Sequence, residues 1–108
     1  MAQLTVLNYE NFASEVLNYT DGPVMIDFWA EWCGPCKALL PVIEELAAEL
    51  PENIKICKLN VDENTELARQ FRVMSIPTCI FFKDGNETER FVGSRDKSEY
   101  VNTLTSMG

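Results

Sequence analysis

Apolar residues recur along this chain at two periods, one suited to strands and one to helices, and the two alternate. Residues 4–7 (Leu4, Thr5, Val6, Leu7) read as a short strand, after which Asn8 is placed to cap a helix carrying Phe12, Val16 and Leu17. Asp21, Gly22 and Pro23 end that helix. Residues 24–30 form an apolar run broken only by Asp27 and read as a buried strand. Leu39, Val42, Ile43, Leu46, Ala47 and Leu50 then repeat at helical spacing. Pro41 falls inside that helix, where it removes one backbone hydrogen bond and predicts a kink. The segment 50–53, with Pro51, is a stop. Residues 54–61 read as a third strand and 63–71 as a short helix.

The remainder has a different rhythm. Pro77 opens a strand at 78–82, Asp84-Gly85 predicts a hairpin turn, and a last strand around 88–92 is broken by Gly93. A final helix starts near Ser94 or Asp96 and turns Tyr100, Val101 and Leu104 inward. The order is βαβαβ followed by ββα. Helical crossovers make the first strands parallel and the hairpin makes the last ones antiparallel, so the expected fold is α/β with a mixed sheet covered on both faces.

A length of 108 residues with 46% apolar content fits one domain, expected to span residues 1–108. Repeats, linkers and low-complexity segments are not evident. The opening octet has no basic start, no long apolar stretch and no small-residue cleavage site, so it does not read as a secretory signal, and no segment is long enough to span a membrane. With four cysteines that do not form a dense disulfide framework, the expected compartment is the reducing cytoplasm.

The net charge of −8 is uneven: residues 1–54 carry nine acids and one base, Lys37, whereas residues 55–108 carry eight of each. Glu44, Glu45, Glu49 and Glu52 give the helix after the cysteines an acidic outer face, read as a solvated face. Such a face repels phosphate backbones and anionic lipid, so neither nucleic acid nor membrane is an expected partner.

The candidate chemistry lies between the 24–30 strand and the long helix, in Trp32-Cys33-Gly34-Pro35-Cys36-Lys37. Pro35 suits a first helical turn, which puts Cys33 at a helix N-terminus, where unpaired N–H groups and the helix dipole favour a thiolate over a thiol. Two thiols so placed read as a dithiol exchange site. A zinc site would need Cys57 and Cys79 as further ligands, yet these are not a second Cys-x-x-Cys, lie in strand-like runs, and have no histidine to join them. A purely structural bridge would close a tiny loop and restrict the unfolded chain little. Cys57 and Cys79 read as small apolar residues of buried strands. Asp27 is an acid in an apolar strand; either it reaches solvent or a partner, or burial raises its pKa and fits it to exchange a proton.

Over essentially its whole length the chain resembles the thioredoxin family. The resemblance rests on residues 27–37 with the Cys33-Cys36 pair, on Pro41 at a helix kink, and on three further segments at matching separations: 58–62, 75–78 (Ser75-Ile76-Pro77-Thr78) and Val92-Gly93. It implies the thioredoxin fold, with about five strands and about four flanking helices. It also implies a redox-active disulfide between Cys33 and Cys36, with no bound cofactor or metal. The implied activity is reduction of disulfide-containing proteins by a monomer that a thioredoxin reductase recharges, NADPH and FAD belonging to that partner alone. Cys33 would attack a substrate disulfide as the exposed thiol, and Cys36, more buried, would resolve the mixed disulfide. Asp27 would exchange a proton with Cys36, with Lys58 as the nearby base. Pro77 would be cis and face the cysteines, with Trp32, Gly34, Pro35, Ile76 and Gly93 at the docking surface; Trp29 fits core packing as well as substrate contact.

Arg72 departs from the family pattern, standing where many relatives have a small residue. An oxidant or isomerase is the rival redox reading, disfavoured by Gly34 and Pro35 between the cysteines and by the absence of histidine. A binding scaffold is the rival outside redox chemistry, and the intact cysteine pair with Asp27 and Pro77 argues against a purely structural role.

Overall fold

A computed structural model of the chain describes residues 4–108; residues 1–3, part of the opening stretch read for a secretory signal, lie outside it. The elements follow in the order β1 (Thr5–Val6), α1 (Ala13–Leu17), β2 (Val24–Trp29), α2 (Gly34–Glu49), β3 (Lys55–Asn60), α3 (Thr65–Gln70), β4 (Thr78–Lys83), β5 (Asn86–Val92) and α4 (Lys97–Met107). One mixed sheet has the order β1-β3-β2-β4-β5. β1 and β2 pair parallel with β3, while β4 runs antiparallel to both β2 and β5. This is the α/β arrangement expected from the order of periodic segments.

Strand alternation sorts the core into two layers. Val24, Ile26 and Phe28 of β2, Cys57 and Leu59 of β3, and Ile80 and Phe82 of β4 pack on one face with Val16 of the first helical segment, Phe12 just before it, and Leu67 of α3. Met25, Ile56, Cys79 and Phe81 pack on the other with Leu39, Ile43 and Leu46 of α2 and Tyr100 and Leu104 of α4. By the same alternation Asp27, two residues after Met25, belongs to the α2/α4 face.

Three local structures differ from the expected ones. The first helix is a short π-helical segment: the Asn18 N–H donates to the Ala13 carbonyl at 2.8 Å, five residues back. Asn8 is not its cap residue: the N-cap is Phe12, with no side-chain hydrogen bond, and the Asn8 Oδ1 accepts from the N–H groups of Glu10 and Asn11 at 2.8 and 2.9 Å in the turn that precedes it. β5 begins at Asn86, two residues before the expected start, because the Asp84-Gly85 turn is tight: both residues have positive φ, 51° and 82°, and Lys83 pairs directly with Asn86. The register shifts between Phe81 and Phe82, leaving Thr88 as the extra residue of a bulge.

α3 ends with the pattern usually built on glycine. Arg72 takes φ 56°, its N–H donates to the Arg69 carbonyl at 3.0 Å, and the Val73 N–H reaches the Ala68 carbonyl at 2.9 Å. Arg90 stabilises this end from β5 by donating to the Phe71 carbonyl at 2.8 Å. The acidic face of α2 is partly engaged, since Lys97 at the start of α4 bridges Glu45 and Glu49 at 3.0 and 2.9 Å. No helix among the described residues is long and apolar enough to cross a membrane.

Candidate functional site

The end of β2 delivers the chain directly into α2, and the cysteines occupy that junction. Cys33 is the N-cap residue with extended backbone (φ −89°, ψ 108°), Gly34 is the first helical residue and Pro35 the second, where a missing N–H costs nothing. Cys33 and Cys36 are bridged, with Cα atoms 5.2 Å apart. The Cys36 backbone N–H donates to Cys33 Sγ at 3.2 Å, so the helix end points a donor at that sulfur. The helix runs on through Pro41, whose ring leaves the Lys37 carbonyl without an intrahelical donor.

The two sulfurs differ less in exposure than expected. Cys36 is fully buried and Cys33 is only 5% exposed, so the description of Cys33 as an exposed thiol needs correction. Trp29, Val61 and Ile76 pack against the pair and cover it. Trp29 is therefore at the edge of this small cluster, with the Lys58 Nζ 5.2 Å from its ring centroid.

Ile76-Pro77 is a cis peptide bond at the mouth of β4, and the Ile76 carbonyl oxygen lies 3.9 Å from Cys33 Sγ. The Pro77 carbonyl accepts from the Gly93 N–H at 2.8 Å, and Gly93 has φ 86°. Beside Cys33 a groove of about 370 Å³ is lined by Trp32, Val61, Val73, Met74, Ser75 and Ile76. Of the expected docking residues, Trp32 and Ile76 line this groove; Gly34 and Pro35 are exposed at the helix start and Gly93 is half-buried beside Pro77. Trp32 is 71% exposed, and its indole N–H donates to Asp62 at 2.8 Å, which orients the ring without burying it. Met74, 92% exposed, has no signal in the sequence pattern, because a lone apolar residue in a loop carries no period.

Asp27 is completely buried. In the sheet it stands beside Lys58 of β3 on one side and Cys79 of β4 on the other. Burial pushes its carboxyl up to about 7, against the smaller opposing pull of a hydrogen bond from Cys79 and of the Lys58 charge. The Cys79 thiol donates to Asp27 Oδ1 at 3.9 Å, whereas Oδ2 is buried with no hydrogen-bond partner. Of the two readings of this acid, the structure selects burial, with one weak partner. Cys57 and Cys79 are both unbridged and buried, on opposite faces of the sheet, so the four sulfurs do not converge on one point. Among the described residues no group of three or more histidine, cysteine or acidic side chains is placed to hold a metal ion. Burial pushes the Cys57 thiol up to about 12 and that of Cys79 well above the usual thiol range.

Comparison with known proteins gives a consistent result. The family model described as Thioredoxin matches residues 3–106. The chain is 50% identical over 99 residues to a thioredoxin of Chlamydia pneumoniae, covering 92% of this chain and 93% of that protein. It is 44% identical over 97 residues to a bifunctional thioredoxin reductase/thioredoxin of Mycobacterium leprae, covering 90% of this chain and 21% of that protein. Its fold superposes with a TM-score of 0.86 on a mutant thioredoxin from Halobacterium salinarum, at 35% identity, with 98% of this chain and 90% of the other covered. A bridged Cys-x-x-Cys pair at a helix N-terminus, on this fold and with these relatives, places the chain in the thioredoxin family, as a thiol-disulfide oxidoreductase that reduces protein disulfides.

Proposed function

We propose that Cys33 is the attacking thiol and Cys36 the resolving one. The observation that carries this is the Cys36 N–H aimed at Cys33 Sγ from the helix end: a donor there stabilises negative charge on Cys33 rather than on Cys36. In the reduced protein the Cys33 thiolate attacks one sulfur of a substrate disulfide and forms a mixed disulfide. The other substrate sulfur leaves as a thiolate and takes up a proton. Cys36 then gives its proton to the Asp27 carboxylate and attacks Cys33 Sγ. The second substrate thiol is released, and the Cys33-Cys36 disulfide holds the two-electron oxidation. A carboxyl near 7 is half ionised at neutral pH and so can both accept and return that proton. Lys58, beside Asp27 in the sheet, supplies the positive charge that keeps the carboxylate accessible despite burial.

Substrate docks as an extended segment across Trp32, Gly34, Pro35, Ile76 and Gly93, with the Ile76 backbone before Pro77 pairing with it. The groove supports this, because Ile76, which packs against the cysteine pair, also lines it together with Trp32. Two electrons then return from a thioredoxin reductase that uses NADPH and FAD; the reductase joined to a similar domain in the Mycobacterium leprae relative supports that partner. Residues 1–108 act as one domain and a monomer in the cytoplasm, carrying electrons between the reductase and protein disulfides. The test is NADPH oxidation coupled to reduction of a protein disulfide, with a thioredoxin reductase present. Activity that needs both Cys33 and Cys36 is the expected result; NADPH consumption indifferent to Cys33→Ser would overturn it.

A further inference from the structure

The Cys79 thiol occupies a position that its residue type does not require. β4 places it opposite Asp27 in the antiparallel register, on the α2/α4 face, where an ordinary aliphatic side chain would fill the same space. Two hydrogen bonds mark its surroundings. The Arg95 backbone N–H donates to the Tyr100 hydroxyl at 3.0 Å, which occupies an acceptor site of that oxygen and leaves the hydroxyl hydrogen to be given elsewhere. Tyr100 is buried, and its hydroxyl works against the upward push of burial on the Cys79 thiol, whose S–H reaches Asp27 Oδ1 at 3.9 Å. Oδ2 is left without a partner.

We propose that Cys79 is a positioning residue for the resolving step: its thiol fixes Oδ1 of Asp27 and leaves Oδ2 as the oxygen that takes the proton from Cys36. This rests on the reading of Asp27 as the proton acceptor. The proton moves from Cys36 Sγ to Oδ2, the new bond is Cys33–Cys36, the broken one is Cys33–substrate, and the substrate leaves with the electron pair. Cys79 gains and loses nothing; it contributes a donor to the charged carboxylate. The other charged or titratable groups interacting with Asp27 are Lys58 from β3 and Tyr100 from α4, and Arg95, just before α4, acts on Cys79 and Tyr100. Of these, only Lys58 and the Cys79 donor favour ionisation of Asp27 strongly enough to oppose its burial.

The test compares Cys79→Val with Cys79→Thr, which have the same shape and exclude water alike but differ in a donor. Asp27 is titrated through its carboxyl carbon by NMR in the oxidised protein, and the pH dependence of mixed-disulfide resolution is measured in single turnovers with a disulfide-bonded peptide. In the Val variant the Asp27 midpoint is expected to rise by about half to one pH unit, and the resolution profile to move with it, while Thr stays near the parent. Should either variant fail to fold, Cys79→Ala and Cys79→Ser form the same comparison. Equal midpoints in the donor and non-donor variants would overturn the role of Cys79, whatever Asp27 does. Separated midpoints with superimposed resolution profiles would instead overturn the proton-accepting role of Asp27, and Asp27→Asn resolving with the parent's pH profile would do the same.

Discussion

Cys57 and Cys79 stand on strands that both flank β2, yet their side chains enter opposite layers of the core, Cys57 with Ile26 and Cys79 with Met25. Two strand spacings separate them, about 9.6 Å across the sheet, beyond the roughly 7 Å of Cα separation that a disulfide spans. The sheet backbone also lies between their sulfurs. Mild oxidation, alkylation of the native protein and then of the unfolded protein should leave both labelled only after unfolding. A peptide linking Cys57 to Cys79 recovered from native protein would contradict the sheet order.

Asp27 makes stability depend on pH in a definite direction. Its carboxyl is raised from 3.8 to about 7 in the folded protein, so the folded state holds a proton that the unfolded state releases between those values. Stability from this group is therefore full below about pH 4 and is lost as pH rises to about 7, a change on the order of 4 kcal/mol. Asp27→Asn, which cannot ionise, should be more stable than the parent at pH 8 and should lose that advantage near pH 4. Denaturant unfolding of the oxidised proteins at both values checks this; an advantage that persists unchanged at pH 4 would contradict the raised carboxyl.

Gly85 is needed for two reasons. It has φ 82°, and a Cβ added there would run into the Leu17 carbonyl at the end of the first helical segment. Gly85→Ala should destabilise the protein by about 1–3 kcal/mol through the left-handed backbone and the collision together. Urea unfolding would show a lower midpoint with an unchanged slope. Gly34, whose added Cβ would meet nothing within 4 Å, is the control, with a loss under about 1 kcal/mol from Gly34→Ala.

Strands and helices of this protein are legible in the sequence where burial imposes a period. The apolar runs around Ile26, Ile56 and Ile80 and the helical repeat from Leu39 to Leu50 mark β2, β3, β4 and α2, and the Cys33-Pro35 pattern locates the start of α2. Asp27 stands out because an acid within such a run needs an explanation. The contact between Cys79 and Asp27 is not legible, since it depends on the antiparallel register of β4 against β2, which no local period encodes. Arg72 is visible as a departure without its cause: the end of α3 demands a left-handed residue, usually signalled by glycine, and here arginine fills it. The near-complete covering of Cys33 has no local signal because its neighbours Val61 and Ile76 come from distant segments.

The division of labour between the two active-site sulfurs is tested most directly by trapping. The reduced Cys36→Ser and Cys33→Ser proteins are each incubated with disulfide-bonded protein substrates, and the complexes are identified by mass spectrometry. The helix end that supports charge on Cys33, and the complete burial of Cys36, lead to stable mixed disulfides on Cys33 in the Cys36→Ser protein and none in the Cys33→Ser protein. Stable complexes on Cys36 in the Cys33→Ser protein, with none in the other, would contradict the account and reverse the two roles.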